Sequence, residues 1–434
     1  MVDRISYESV LAYDSMSAAE IDELELGLLR RLLCHARDSV PFYAAAFASA
    51  GIDPARMSRI DDIRKLPLMD KASILRSPQQ FRSSLYGDGA SRVVQTGGST
   101  GEPFRVFTER DDPSVQNAYN WAQWRRLGVK PGEASVSLVG MAHKSSPDRT
   151  FVEHRVKDAM LRVHRPSRDP EPPWTDILAR IRQHAPALIR GFPSVVAEMA
   201  EAMIELGVPP LDSLRGVSLS SEDILPNQRA VIERAFAVPC LGFYGQSEHC
   251  VLAMQCEASQ AYHVYPGYAY VEILDDDGQP ITEPGRMGEV VGTSLLNYAM
   301  PLIRYRTGDL AEWDAGECPC GRQHRRLARL AGRKRNRVAL PGGKTVYFGS
   351  DVYDALWYAP EMFRQIQFEQ SCADELNVRV VPFPGTDRVR LKLFIEGNLR
   401  QNLCEDLIYR TEFVPAVERT ASGKYLLFLQ KYLH

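Results

Sequence analysis

Between residues 187 and 248, strand-like and helix-like runs alternate, and this pattern limits the fold more than any other feature of the chain. A strand at 187–189 leads through Gly191-Phe192-Pro193-Ser194 into a helical run rich in Val, Ala, Met and Leu. A second strand covers 216–219, a helix opens at Pro226 and runs to 236, and a third strand covers 239–243. Strands separated by helices pair in parallel, because a parallel neighbour is reached only through a long crossover. Such sheets bind ligands beyond the carboxyl ends of their strands. Two of those ends carry polar clusters, Ser220-Ser221-Glu222 and Tyr244-Gly245-Gln246-Ser247-Glu248.

The rest of the chain is organised around that core. Ser17-Ala18-Ala19-Glu20 has capping-box spacing, and leucines at helical intervals follow it up to Val40-Pro41. Residues 117–127 read as a helix carrying Tyr119, Trp121 and Trp124, whose spacings do not bring all three to one face. From residue 268 the pattern turns to hairpins, with 269–274 and 288–295 as strands and Asp275-Asp276-Asp277-Gly278 as a turn. Gly332-Arg333-Lys334-Arg335-Asn336-Arg337 reads as a charged linker. At 434 residues the chain is too long for one core. The expected class is α/β: an N-terminal domain over 1–332 with mostly parallel sheets and a β-rich subdomain at about 262–332, then a small α+β domain over 333–434.

Net charge is −3, so no basic field invites nucleic acid. No run of eighteen apolar residues occurs, and Met1-Val2-Asp3-Arg4-Ile5-Ser6 lacks the start of a signal peptide, so a cytoplasmic enzyme without membrane contact is expected. Eight cysteines in so long a chain do not make a disulfide scaffold. Cys318-Pro319-Cys320-Gly321, with Cys256 and His263 upstream, supplies a Cys₃His set suited to tetrahedral Zn²⁺. His249, Cys250 and His324 are alternative ligands, and free buried thiols are the plainer possibility.

Gln95-Thr96-Gly97-Gly98-Ser99-Thr100-Gly101-Glu102-Pro103 is a further anion-binding candidate. Glycines let successive N–H groups turn toward one anion, and Thr96, Ser99 and Thr100 add hydroxyl donors. It is not a Walker loop, since no Lys-Ser/Thr pair follows and a strand-like run, Phe104-Arg105-Val106-Phe107-Thr108, comes next.

Four more stretches follow this loop in order: Phe243-Tyr244-Gly245-Gln246-Ser247-Glu248, Arg304-Tyr305-Arg306-Thr307-Gly308-Asp309, Gly332-Arg333, and Glu418-Arg419-Thr420-Ala421-Ser422-Gly423-Lys424. Together the five resemble the adenylate-forming superfamily of acyl-CoA ligases, most closely its phenylacetate–CoA ligase and CapK-like branch, from about residue 43 onward. The resemblance implies ATP, Mg²⁺ and coenzyme A as cofactors and an aromatic acid such as phenylacetate, benzoate or anthranilate as substrate. A carrier-protein thiol or an amine is the alternative acceptor, and a non-adenylating acyltransferase or nucleotide-binding regulator is a second alternative. A homodimer is common in the branch.

Activating a carboxylate with ATP brings two anions together, so fixed donors and a cation must offset their repulsion. Thr96, Gly97, Gly98, Ser99, Thr100 and Gly101 can hold the leaving phosphates, and Glu248 can bind Mg²⁺. Lys424 can bring a mobile positive charge to the α-phosphate and acyl oxygens. Asp309 suits a ribose diol and Tyr244 the adenine face, and the resemblance implies that Ser220, Ser221, Glu222, Gly245, Gln246, Ser247 and Arg333 make the remaining nucleotide contacts. Tyr119, Gly242 and Tyr244 are assigned to the acyl pocket. Lys334 and Arg335 mark the hinge about which the small domain of the family swings. Arg304 and Arg306 are expected to share a strand face, one of them pairing with Glu248 or Asp309. Many superfamily members place a Lys after the loop's Thr-Gly, where this chain has Glu102-Pro103-Phe104. The resemblance also implies that the cysteine cluster is a structural zinc site.

Overall fold

The computed structural model describes residues 5–95, 104–110, 112–139, 151–154, 160–164, 174–348, 362–420 and 423–433. It divides into two compact units, one of residues 1–130 and 241–330, the other of 131–240 and 331–434. No helix among the described residues is long and apolar enough to cross a membrane.

In the first unit, Ser17 caps the helix Ala18–Ser39: its side chain accepts from Glu20 N while Glu20 accepts from Ser17 N. That helix buries Leu28, Leu29, Leu32 and Leu33 in a core shared with Tyr43, Phe47 and Ile303. Seven strands follow one another in the order Ala269–Leu274, Met287–Ser294, Tyr305–Trp313, Arg326–Arg333, Tyr262–Val264, Leu252–Gln255 and Cys240–Gly245. The pairs recorded between them are antiparallel. The reason is the length of the connections: after Gly245 the chain has six residues before Leu252, too few for a helical crossover. The turn at 275–278 forms as its sequence predicts, with Asp275 Oδ1 accepting from Asp277 N and Gln279 N and Gly278 at φ +76°. A separate hairpin pairs Ser91–Gln95 with Arg105–Glu109, closing Gln95 on Arg105.

One buried carboxylate in this unit gives a prediction. Burial pushes Glu25 up to about 7, against its ordinary 4.5, with Arg325 and the Gly267 amide pulling the other way. The folded state therefore holds a proton that the unfolded state releases. Stability from this group is complete below about pH 4.5 and falls as pH rises to about 7. The difference is on the order of 3 kcal/mol. Glu25→Gln, which cannot ionise, is expected to be the more stable protein at pH 8 by about 1–3 kcal/mol and to lose that advantage below pH 5. Urea unfolding at the two pH values measures it; parallel curves for both proteins contradict it.

In the second unit two of the strands expected from the sequence, at 187–189 and 216–219, pair in parallel, whereas the pair recorded for the third, at 239–243, is antiparallel. Met160–His164, Ser135–Val139, Leu188–Gly191 and Gly216–Ser220 pair in parallel in that order, with Phe151–His154 antiparallel at the edge. The helices Trp174–His184, Pro193–Glu205 and Pro226–Phe236 supply the cover. Gly191 permits a close approach, since a Cβ there would overlap Leu138 O. The same unit holds a four-stranded sheet, ordered Ile408–Phe413, Glu375–Pro382, Phe363–Cys372 and Phe428–Gln430, with the helix Arg388–Asn402 on its core.

Candidate active site and metal centre

The glycine-loop residues Thr96, Gly97, Gly98, Ser99, Thr100 and Gly101 lie outside the described residues. In the first unit two of the other predicted positions, Tyr244 and Gln246, meet Asp309. Tyr244 Oη donates to Asp309 Oδ2 at 2.8 Å, and Gln246 Nε2 donates to the same oxygen at 2.8 Å and to Tyr244 Oη at 3.2 Å. The strand Cys240–Gly245 delivers Tyr244 and Gln246, while Tyr305–Trp313 delivers Asp309. Gln246 Oε1 is buried and has no hydrogen-bond partner among the described residues. A buried acceptor without a donor is costly, so a ligand hydroxyl or amine is the group that fits it.

Glu248 sits in a turn whose shape is heavily determined. His249 N donates to Gln246 O at 3.0 Å, and His249 takes φ +57°, a left-handed value unusual outside glycine. Its Nδ1 lies 3.2 Å from both Asp112 Oδ1 and Gln116 Nε2, and Tyr268 Oη donates to Gln116 Oε1 at 2.8 Å. On the other side, a Cβ at Gly292 would overlap Cys250 O. Gly292→Ala must therefore move the turn or the strand. We expect a loss of about 1–3 kcal/mol in urea unfolding together with weakened ATP-dependent activity; a variant as stable and active as the parent contradicts this.

Tyr119, placed by sequence in the acyl pocket, is fully buried, with Oη on Pro266 O at 3.3 Å and its ring edge-on to Tyr265 and Tyr268. Gly242 N donates to the buried Gln255 Oε1 at 2.8 Å. Arg304 and Arg306 do not alternate simply, because Arg304 adopts φ +51° just before its strand begins. Arg304 forms a two-pronged pair with Glu272, both contacts at 3.0 Å, and donates to Arg64 O and Leu66 O; Arg306 pairs with Glu289.

The second unit holds Ser220, Ser221, Glu222, Arg333, Lys334, Arg335 and Lys424. Ser220 ends its strand and Ser221 takes φ +76°. Glu222, assigned by sequence to the nucleotide, has both oxygens on backbone amides: Oε2 accepts from Ser194 N at 3.0 Å and Oε1 from Tyr425 N at 2.6 Å. Lys424 lies on a hairpin in which Arg419 and Tyr425 bridge, Gly423 N donates to Thr420 O, and Lys424 N donates to Thr420 Oγ1. Its Nζ stands 5.8 Å from the centre of the Phe192 ring. Arg333 closes the strand Arg326–Arg333, and Lys334 and Arg335 form the turn after it.

Cys256, His263, Cys318 and Cys320 come together as their spacing predicts. Their ligand atoms all lie within 4.8 Å of one another, with Cys256 Sγ to Cys318 Sγ at 3.5 Å and Cys320 Sγ to His263 Nε2 at 3.4 Å. Donors about 2.0–2.3 Å from one tetrahedral ion stand about 3.3–3.8 Å apart, so both distances fit edges of such a site. Burial lowers His263 to about 2, helped by the Arg126, His324, Arg322 and Arg326 charges, so the imidazole is neutral. Burial raises both thiols, but at Cys318 the Cys320 amide and neighbouring thiols outweigh it and bring that group down, whereas Cys256 is pushed up. A neutral imidazole and an acidic thiol are what a metal requires. Of the alternative ligands, His324 has Nε2 on Tyr13 O at 3.1 Å, and Cys250 and His249 belong to the Glu248 turn.

No protein-family model matches the chain. It is 26% identical over 384 residues to a phenylacetate-coenzyme A ligase of Thermus thermophilus, spanning 85% of this chain and 82% of that one. It is 22% identical over 338 residues to protein CapK of Staphylococcus aureus, spanning 76% and 72%. Its fold matches a crystal structure of 2-hydroxyisobutyryl-CoA ligase with TM-score 0.77 at 20% identity, over 96% of this chain and 91% of that one. The fold is that of the acid–CoA ligase structure it matches. Its sequence relatives include phenylacetate-coenzyme A ligases and protein CapK, the branch that the ordered segments resemble.

Proposed function

We propose that this AMP-forming acid–CoA ligase activates an aromatic carboxylic acid. The acid attacks the α-phosphorus of ATP, pyrophosphate leaves, and the aryl-adenylate then passes its acyl group to the coenzyme A thiol with release of AMP. The observation that carries the reading is the convergence of Tyr244, Gln246 and Asp309 with an unpartnered buried acceptor beside them, in segments whose order matches the superfamily. Asp309 accepts from the ribose, Tyr244 offers its ring to the adenine, and the Thr96–Gly101 segment receives the departing phosphates. Glu248 and the phosphates would hold Mg²⁺, which supplies charge neutralisation when bound. Lys424 places its ammonium against the α-phosphate and acyl oxygens. The aromatic acid is supported by the relatives named phenylacetate-coenzyme A ligase.

Zinc held by Cys256, His263, Cys318 and Cys320 would have a structural role, since four protein donors would leave it no position for substrate.

The test is pyrophosphate release from a panel of aryl and aliphatic acids with ATP, with and without coenzyme A. Expected are acid-dependent pyrophosphate release with aryl acids and aryl-CoA only when coenzyme A is present. Failure of every acid to exchange labelled pyrophosphate removes adenylation. Product formed with an amine or a carrier-protein thiol but not with coenzyme A moves the acceptor.

A further inference from the structure

We propose that Glu222 is a positioning residue for Lys424, one half of a clasp whose other half is Arg419, and that the clasp sets the aim of the lysine hairpin. The inference rests on Lys424 being the adenylating amine, and it reassigns Glu222 from the nucleotide to the hairpin.

The clasp is built on one helix. Pro193–Glu205 begins at Phe192, which makes no side-chain capping bond of its own. Glu222 provides that bond from a distance, accepting Ser194 N at 3.0 Å at the positive end of the helix, where a carboxylate is favoured. Its second oxygen takes Tyr425 N at 2.6 Å, one residue beyond Lys424. A single carboxylate thus joins the start of the helix to one arm of the hairpin. Ser221, at φ +76°, turns Glu222 out of its strand and into this contact.

The other arm is held to the same helix. Arg419 donates to Ser194 Oγ at 2.9 Å, pairs with Glu198 one turn further on, and donates to Gly423 O at 3.1 Å across the hairpin. Beyond it, Gln365 donates to Glu198, and Arg364 pairs with Glu201 and Glu205, so the helix face continues to receive the C-terminal sheet. Tyr425 is buried and donates its hydroxyl to Ile366 O, which fixes the hairpin arm from behind. Lys424 lies between the two tied arms and bonds back to Thr420 across the hairpin, so the clasp sets where its side chain starts from.

A nucleotide contact from Glu222 would have to share or displace an oxygen that already holds a backbone amide. Burial pushes the Glu222 carboxyl up, and the Tyr425 and Ser194 amides oppose that rise. A charge-assisted bond to a buried amide is among the stronger protein hydrogen bonds, so exchanging it for a ligand contact is unfavourable.

The experiment uses the full chain with Glu222→Gln. The amide keeps one acceptor oxygen and turns a donor toward the other N–H, so one arm must release. Hydrogen exchange in the ligand-free protein is expected to show the Tyr425 amide losing protection about tenfold or more. In pyrophosphate exchange we expect kcat to fall about 10–50-fold with KM for ATP held within about twofold. Formation of aryl-CoA from a synthetic aryl-adenylate should fall much less than adenylation does. Unchanged protection at Tyr425 overturns the proposal. So does a rise in KM for ATP at constant kcat, the signature of a nucleotide contact. If Glu222→Gln fails to fold, Ser194→Ala replaces it: that variant keeps the backbone N–H, removes the Arg419 acceptor, and is expected to reduce kcat about threefold with the fold intact. An unchanged kcat in that variant overturns the proposal. If the unmodified protein exchanges no pyrophosphate, the ligase function fails while the hydrogen-exchange comparison still decides the clasp.

Discussion

Replacing Lys424 with alanine is expected to cut acid-dependent pyrophosphate exchange by about 10²–10³-fold, on the order of 3–4 kcal/mol of transition-state stabilisation. The charge is needed because a carboxylate and a phosphate chain approach each other, and the proposed function assigns that cation to Lys424. The fold should survive. The hairpin is held by Thr420, Gly423, Arg419 and Tyr425, none of which needs the lysine side chain. The substitution removes a cation–π approach to Phe192 at 5.8 Å, worth about 1 kcal/mol at a half-exposed site. Conversion of a synthetic aryl-adenylate to the thioester should change only a few-fold, because pyrophosphate has already left. A Lys424→Ala protein that adenylates at the parent rate shows that the amine is elsewhere.

The second large effect is expected at the cysteine cluster. Cys318→Ser should abolish metal binding, read as zinc per chain by elemental analysis, and lower the thermal midpoint by about 10 °C. Cys318 Sγ lies 3.5 Å from Cys256 Sγ within the cluster, so the substitution removes one of the four donors. The four ligands come from widely separated parts of the first unit, and an ion that joins them ties Cys256 and His263 to the segment after Trp313. Around them Arg322 bridges Asp14 and Glu257, and His324 reaches Tyr13 O, so loosening the centre also loosens the N-terminal segment. Chelation of the unmodified protein, followed by restoration of Mg²⁺, should reproduce the loss of stability. Zinc-free protein with an unchanged midpoint contradicts a structural metal.

Many of these features are legible in the order of residues alone. Helix caps, the 275–278 turn and the parallel run from 188 to 220 depend on local bonding and on hydrophobic period, which neighbouring residues fix. The Cys-x-Cys spacing and the ordered motifs mark candidate ligands and site residues, because thiolates, imidazoles and carboxylates carry their chemistry wherever the fold places them. Other features have no local signal. Asp112 and Gln116 approach His249 across more than a hundred residues, and nothing in either segment names the other. Tyr119 has the character of a pocket residue, but neighbouring tyrosines enclose it. Arg304 and Arg306 have the spacing of one strand face, but a left-handed residue breaks the alternation.

Glu222 shows the division most clearly. Its sequence position, after a strand and beside two serines, marks it as an acceptor at a ligand-binding edge. Which donor it accepts from is a matter of packing: the amides of Ser194 and Tyr425 reach it once the sheet and the hairpin are in place. The sequence by itself determined the elements, the class of chemistry and the metal-ligating set, since these follow from residue type and spacing. Only the tertiary structure decided the partners of the buried polar groups, because a hydrogen bond requires an approach to about 3 Å and sequence separation says nothing about that distance.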